Sequence, residues 1–155
     1  MVRCAVVTVS DTRTLADDRG GQLLVDMLTA IGHQVVRREI VRDEPARIRA
    51  LLAELADARV VDAVLVTGGT GIAARDQTFE TVSQMLTKTL PGYGEIFRML
   101  SYEDIGAAAM LSRAIGGVIG QVIVLTMPGS PAAVRLAMEK LICPELGHLV
   151  YEARK

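Results

Sequence analysis

The segment Ala63-Val64-Leu65-Val66-Thr67 runs without alternation into Gly68-Gly69-Thr70-Gly71, and that junction constrains the chain more than any other. A short uninterrupted apolar run bounded by turn residues suits a strand covered on both faces. Three glycines within four positions strip side chains from the turn, so successive backbone N–H groups can close around an anion, most simply a phosphate. Glycine pairs also serve plain strand-to-helix turns that need positive φ. The polar residues around this turn, Thr67, Thr70, Arg75, Asp76 and Thr78, favour the anion reading, and a helical pattern opens at Phe79.

The rest of the chain repeats the theme. Cys4 to Val9 is a second β-branched run, ending in the polar loop Ser10-Asp11-Thr12-Arg13-Thr14, which continues through Gly21. The spacing of Leu23, Leu24, Met27 and Leu28 predicts a helix from about Gln22 to Ala30, and Gly32 suits its C-terminal cap. Gln34–Val41 carries alternate charges, as a strand near a sheet edge would. Asp43-Glu44-Pro45 opens a helix with Ile48, Leu51, Leu52 and Leu55 as its buried stripe, ending near Arg59. Strands and helices thus alternate as β-α-β-α-β, the pattern of a parallel sheet with crossover helices.

Beyond Phe79–Thr87, Leu90–Glu95 reads as a turn into a helix around Ile96–Leu100, with Ser101-x-x-Asp104 able to cap a further one. Arg113–Ile119 and Gln121–Met127 form an expected hairpin at Gly120. Met127-Pro128-Gly129-Ser130-Pro131 is another tight turn, leading into helices near Ala132–Ile142 and Pro144–Arg154. The expected fold is α/β: a three-layer α/β/α domain, residues 1–155, with a mostly parallel, mixed central sheet.

Composition excludes several classes. Seventeen Lys and Arg against eighteen Asp and Glu give a net charge of −1, and aromatic residues are 3%, so a nucleic-acid partner is not expected. Cys4 and Cys143 lack any CxxC spacing and suggest free thiols rather than a disulfide framework or zinc site. No signal-peptide pattern precedes the first strand, and the apolar stretch Val118–Met127 is too short to span a bilayer. A soluble cytoplasmic protein is expected, and half of its residues being hydrophobic favours a homo-oligomer.

In open α/β sheets, ligands sit beyond the carboxyl ends of the strands. The loops Ser10–Thr14, Val41–Glu44 and Gly68–Thr78 should gather there. Asp43 and Asp76 would then stand on different loops of one rim, able to hold Mg²⁺ through oxygen ligands beside substrate phosphates. The alternative for each is a helix N-cap. Ser10, Asp11, Thr12 and Ser130 are turn formers or ligand contacts. His33 and His148 have no metal-ligand spacing. The lysine of a P-loop is missing after Gly71, which disfavours ordinary NTPase chemistry.

Taken in order, Val9-Ser10-Asp11-Thr12-Arg13, Asp43-Glu44, Thr67–Gly71 with Arg75-Asp76-x-Thr78, Leu90–Glu95, Ala109–Ala114 and Met127–Pro131 resemble the MoaB/MogA family of molybdenum-cofactor biosynthesis, which is related to the gephyrin G domain. Pro128–Pro131 and Pro144–His148 resemble its MoaB branch. The resemblance implies a molybdopterin adenylyltransferase, joining AMP from Mg-ATP to the molybdopterin phosphate with release of pyrophosphate. It implies Asp43 and Asp76 as catalytic and Mg²⁺-linked acids, and Gly68, Gly69, Thr70 and Gly71 as the phosphate-holding loop. Ser10, Asp11 and Ser130 become pocket positions. It further implies a trimer or hexamer and a downstream molybdenum insertase as partner. The alternatives are a molybdopterin-binding scaffold without turnover and a CinA-like nucleotide pyrophosphatase, which shares the TGGTG-type loop.

Overall fold

A computed structural model describes residues 1–155. Its elements are β1 (Arg3–Val9), α1 (Arg19–Ala30), β2 (Gln34–Val41), α2 (Pro45–Asp57), β3 (Ala63–Thr67), α3 (Thr78–Met85), β4 (Lys88–Thr89), α4 (Pro91–Ile105), β5 (Gly116–Ile119), β6 (Val122–Met127), α5 (Pro131–Ala137) and α6 (Cys143–Ala153). The strands form one sheet in the order β2-β1-β3-β6-β5-β4. β2, β1, β3 and β6 are mutually parallel, whereas β5 runs antiparallel between β6 and β4. The sheet is therefore mixed, with helices on both sides.

Alternation along the central strands feeds two cores. Cys4, Val6, Ala63, Leu65, Ile123, Leu125 and Met127 point to one face and pack with Leu24, Leu28, Phe97, Val134, Met138, Ile142 and Leu146. Ala5, Val7, Val9, Val64, Val66, Val122 and Val124 point to the other and pack with Ile48, Leu52, Leu55 and Val82. A strand buried on both faces has no polar side, so β1 and β3 read as continuous apolar runs. β2 lies at the sheet edge, as its charges predicted.

α1 and α4 differ from the sequence reading for local reasons, and the short strand β4 is absent from that reading. α1 begins at Arg19, because buried Asp18 caps it by accepting from the Gly21 N–H at 3.0 Å. Glycine is required there, since a Cβ on Gly21 would stand 2.1 Å from an Asp18 oxygen. α4 begins at Pro91 and runs unbroken to Ile105, so Leu90–Glu95 is not a separate turn and Ser101 is buried inside the helix. Proline supplies a preformed first turn, and a Cβ at Gly94 would meet the Ala114 carbonyl at 2.4 Å. Pro144 stands in the first turn of the last helix, α6, as the sequence predicted, but that helix is not preceded by a break. α5 continues through a π turn at Met138–Ile142, closed by the Cys143 N–H on the Met138 carbonyl, directly into α6. Pro144 has no N–H to give and its ring crowds the carbonyl four residues back, so the helix widens there instead of stopping.

Register brings the carboxyl ends of the parallel strands level: Val9 lies opposite Val41, Thr8 opposite Thr67, and Thr67 opposite Met127. At this rim Gly68 has φ +96°, and a Cβ on it would approach the Val9 carbonyl to 2.4 Å. Gly68→Ala should cost at least about 1–3 kcal/mol, which lowers Tm by several degrees at ~2–4 °C per kcal/mol. Gly147, in α6 with nothing near its missing Cβ, is the control. Gly147→Ala should gain about 0.5–1 kcal/mol, and thermal melts of the two variants check both signs.

Candidate functional site

The rim becomes a site through bonds that cross between loops. The chain leaves β1 with the Ser10 N–H donating to the Val41 carbonyl at 2.9 Å, and leaves β3 with the Gly68 N–H donating to Met127 at 3.0 Å. The Ser10 hydroxyl accepts from the N–H groups of Thr12 (3.3 Å) and Arg13 (3.0 Å), which folds the loop back on itself. Asp11 then reaches the second loop, where its carboxylate accepts from the Asp43 N–H at 3.0 Å. It also pairs with Arg75 of the glycine loop.

Asp43 closes the circuit by accepting from the Gln77 N–H at 3.1 Å. Thr78, fully buried at the start of α3, donates its hydroxyl to the Gly68 carbonyl at 2.9 Å and its N–H to Gly69 at 3.2 Å. Asp76 braces its own loop, accepting from the Ala73 N–H at 2.9 Å. Neither acid caps a helix through its side chain: α2 starts after Glu44 and α3 after Gln77, both without a side-chain cap bond. The N-cap alternative is thereby removed for Asp43 and Asp76.

The resulting open cleft of about 240 Å³ is lined by Ser10, Asp11, Asp43, Gly69, Arg75 and Asp76, with Val9 and Thr12. Gly68, Thr70, Gly71 and Ser130 do not line it. Gly68 is the buttress against Val9, the Thr70 side chain is buried, and the Ser130 hydroxyl caps α5 by accepting from the Ala133 N–H at 3.2 Å. The Ser130 turn still adjoins the loop, since a Cβ at Gly129 would lie 3.5 Å from the Gly68 Cα. A larger groove of about 630 Å³ at the opposite pole contains Arg3, Arg59 and Arg154. There Asp62 is already satisfied by Arg3 and Arg154, and no glycine cradle faces paired acids.

No group of three or more His, Cys, Asp or Glu side chains is arranged to hold a metal ion by itself. Asp43 and Asp76 nevertheless fit Mg²⁺, which commonly takes one or two carboxylates, substrate phosphates and water. The donors are hard oxygens, and one Asp43 oxygen is left free of the Gln77 bond. It faces Gly69, where a Cβ would stand 2.8 Å from it. Burial pushes the Asp43 carboxyl above its usual range, the Gln77 bond opposes that, and the charges of Asp76 and Glu80 add to the rise.

Arg113 was not singled out by sequence reasoning. Its guanidinium reaches the back of the glycine loop, donating to the carbonyls of Gly71 (3.0 Å), Thr70 (3.4 Å) and Asp76 (3.3 Å). It is held there by Glu80 and by the Phe79 ring, 5.3 Å away. A lone arginine more than forty residues beyond the loop carries no spacing signal, so only the ordered Ser112-Arg113 motif could have marked it.

With this geometry in place, comparison with known proteins gives the family. The family model for a "probable molybdopterin binding domain" matches residues 5–148. Molybdenum cofactor biosynthesis protein B of Bacillus subtilis is 54% identical over 157 residues, spanning 100% of this chain and 92% of that protein. The chain belongs to the MoaB/MogA family. A crystal structure of a molybdenum cofactor biosynthesis protein B superposes with a TM-score of 0.96 at 55% identity, covering 99% of this chain and 96% of the other. The tungsten cofactor synthesizing protein MoaB from Pyrococcus furiosus gives 0.86 at 38% identity, with 99% and 98% covered. The mixed six-stranded sheet is thus the MoaB/MogA fold, as the sequence motifs predicted.

The raised Asp43 carboxyl has a sign that can be measured. A group whose folded-state pKa lies above its unfolded value favours folding in acid, and that contribution is lost as pH rises through the folded pKa. At neutral pH the ionised, half-buried Asp43 therefore costs stability. Asp43→Asn keeps an acceptor for the Gln77 N–H without the charge. Its Tm should exceed that of the unmodified protein at pH 7–8, with the difference shrinking as pH falls toward the carboxylate range near ~4. Thermal melts across pH check this.

Proposed function

We propose that the protein adenylylates molybdopterin with Mg-ATP, an activity within molybdenum-cofactor biosynthesis. The observation that carries the reading is the pair Asp43 and Asp76, brought from separate loops to one cleft beside the Gly69 cradle. Phosphoryl-type transfer asks little covalent help of a protein and depends on position and electrostatics. An oxygen of the molybdopterin phosphate would attack the α-phosphorus of ATP, and the bond to the pyrophosphate leaving group would break.

Backbone N–H groups of the glycine loop would hold phosphate oxygens, and Arg75, on an exposed part of the loop, could exchange its Asp11 contact for phosphate. Asp43 and Asp76 would hold Mg²⁺, whose chemistry is to neutralise charge on the phosphates. Family membership supports the substrate. The matched family is a probable molybdopterin binding domain, and the relatives are named for molybdenum cofactor biosynthesis.

Purified protein given molybdopterin, ATP and Mg²⁺ should release pyrophosphate, and release should stop when molybdopterin is left out. Asp76→Asn should lower the rate more than about 100-fold, the scale of several kcal/mol of charge stabilisation. Full activity in that variant would overturn its metal role. Molybdopterin binding without turnover would leave a binding module only, and pyrophosphate released without molybdopterin would favour a pyrophosphatase.

The same reading includes self-association. Met99, Tyr102 and Ile105 follow at three-residue spacing along α4, and Met110 and Leu111 continue in the 3-10 turn beyond it; all are exposed. An apolar strip of this kind suits a second copy of the chain. Light scattering should give a multiple of 16.6 kDa, and Met99→Glu with Met110→Glu should shift the mass toward the monomer.

A further inference from the structure

Arg113 touches no residue that lines the cleft through a side chain, yet it controls which way the loop's backbone faces. Its Nε and Nη2 donate to the carbonyls of Thr70, Gly71 and Asp76. All peptide bonds in the chain are trans. Across a trans peptide plane, the C=O of one residue and the N–H of the next point in opposite directions. Turning the Asp76 carbonyl toward Arg113 therefore turns the Gln77 N–H away from it, and that N–H is the donor to Asp43 at 3.1 Å. A single rigid peptide stands between the guanidinium and the carboxylate.

The same rule applies to the two preceding contacts. With the Thr70 and Gly71 carbonyls drawn to Arg113, the N–H groups of Gly71 and Ile72 face the other way. Neither donates to any acceptor in the protein. Two unspent donors and the Asp43 anchor thus depend on one side chain. Only a planar fork can meet several carbonyls at fixed angles, which a lysine ammonium cannot do. Glu80 accepts from Nη1 and, at 3.5 Å, from Nη2, and the Phe79 ring lies 5.3 Å from the guanidinium, so groups outside the loop also fix the fork's orientation.

We propose that Arg113 is a positioning residue of the glycine loop. By gripping three carbonyls from behind, it aims the Gly71 and Ile72 N–H groups at a phosphate group and the Gln77 N–H at Asp43. The positive charge behind the peptides also adds to the field that an incoming phosphate meets. This assignment rests on the anion-binding part of the proposed function and not on the adenylyl transfer.

The test uses pyrophosphate without metal as the probe, read by calorimetry, together with ¹H–¹⁵N amide spectra of the full chain. Arg113→Lys retains the charge and loses the fork. It should weaken pyrophosphate binding roughly 10–100-fold, the usual effect of removing a partner that orients a site. The Gly71, Ile72 and Gln77 amide resonances should shift even without pyrophosphate. Glu80→Gln leaves the carbonyl contacts in place and should change both readouts less than Arg113→Lys does.

A lowered Tm in Arg113→Lys, with unchanged pyrophosphate affinity and an unmoved Gln77 amide, would make Arg113 merely structural and overturn the assignment. If Arg113→Lys fails to fold, Arg113→Gln, which keeps two amide donors, carries the same readouts. If the unmodified protein binds no pyrophosphate, the anion-loop reading itself fails. The aiming of the Gln77 N–H at Asp43 is then decided by the Gln77 amide shift alone.

Discussion

Burial of β1, β3 and β6 on both faces is the constraint from which the rest of the structure follows. Each strand must supply apolar side chains to both layers, so none can carry a ligand-binding group along its length. Polar chemistry is pushed to the strand ends. Because these strands and β2 are parallel and in register, their carboxyl ends fall on one rim, and the loops after β1, β2 and β3 meet there. The hairpin β5–β6 at Gly120 reverses the chain at the far pole and keeps β6 parallel to its neighbour, so the Pro128–Pro131 turn joins the same rim.

That crowding explains the glycines better than flexibility does. Gly68 approaches the Val9 carbonyl and faces Gly129, Gly20 approaches the Gly129 carbonyl, and Gly69 approaches Thr78 and Asp43. Three loops can pass this close only where side chains are missing. The positive φ of Gly68 and Gly69 then turns the chain outward after β3 and brings Asp76 and Gln77 back over the second loop. The glycine loop is thus first a packing solution, and the anion role proposed for it would use the bare backbone that packing requires.

The parts legible in the sequence are those in which the cause is local. β1, β2, β3 and β6 were visible as apolar or charge-alternating runs, and the rim followed from their alternation with helices. Asp43 was reachable because it stands two residues after the end of β2, and Asp76 because it closes the glycine loop that follows β3. What sequence could not supply was set by distant neighbours. Gly92 and Gly94 look like a turn, and only the Ala114 carbonyl against α4 explains a glycine inside a helix. Pro144 does open α6, but nothing in the sequence marks the π turn through which α5 runs into it. Arg113 acts on carbonyls, which have no sequence identity at all. Asp43 gave no local hint that its partner is an amide 34 residues away.

Two aspartates differ sharply in how the cost of their burial is met. Asp62, at the pole away from the rim, is almost fully buried. Burial alone would push its carboxyl up, but Arg3 through its backbone and guanidinium, with Arg154, outweighs that and holds it below the usual carboxylate range. That acid is structural: every cost of burying it is met by a partner. Asp43 has no cationic partner. It accepts one amide hydrogen bond, lies near two further acids, and is held above its usual range at a standing cost to the fold. A chain that neutralises one buried aspartate so thoroughly could do the same at the other, and Arg42 and Arg75 are close at hand on Asp11. Neither Asp43 nor Asp76 pairs with a guanidinium through its side chain, and the proposed Mg²⁺ role would use the oxygens left that way. Arg113 fits the same logic, because it reaches this region through peptide planes and strengthens the loop without neutralising the acids.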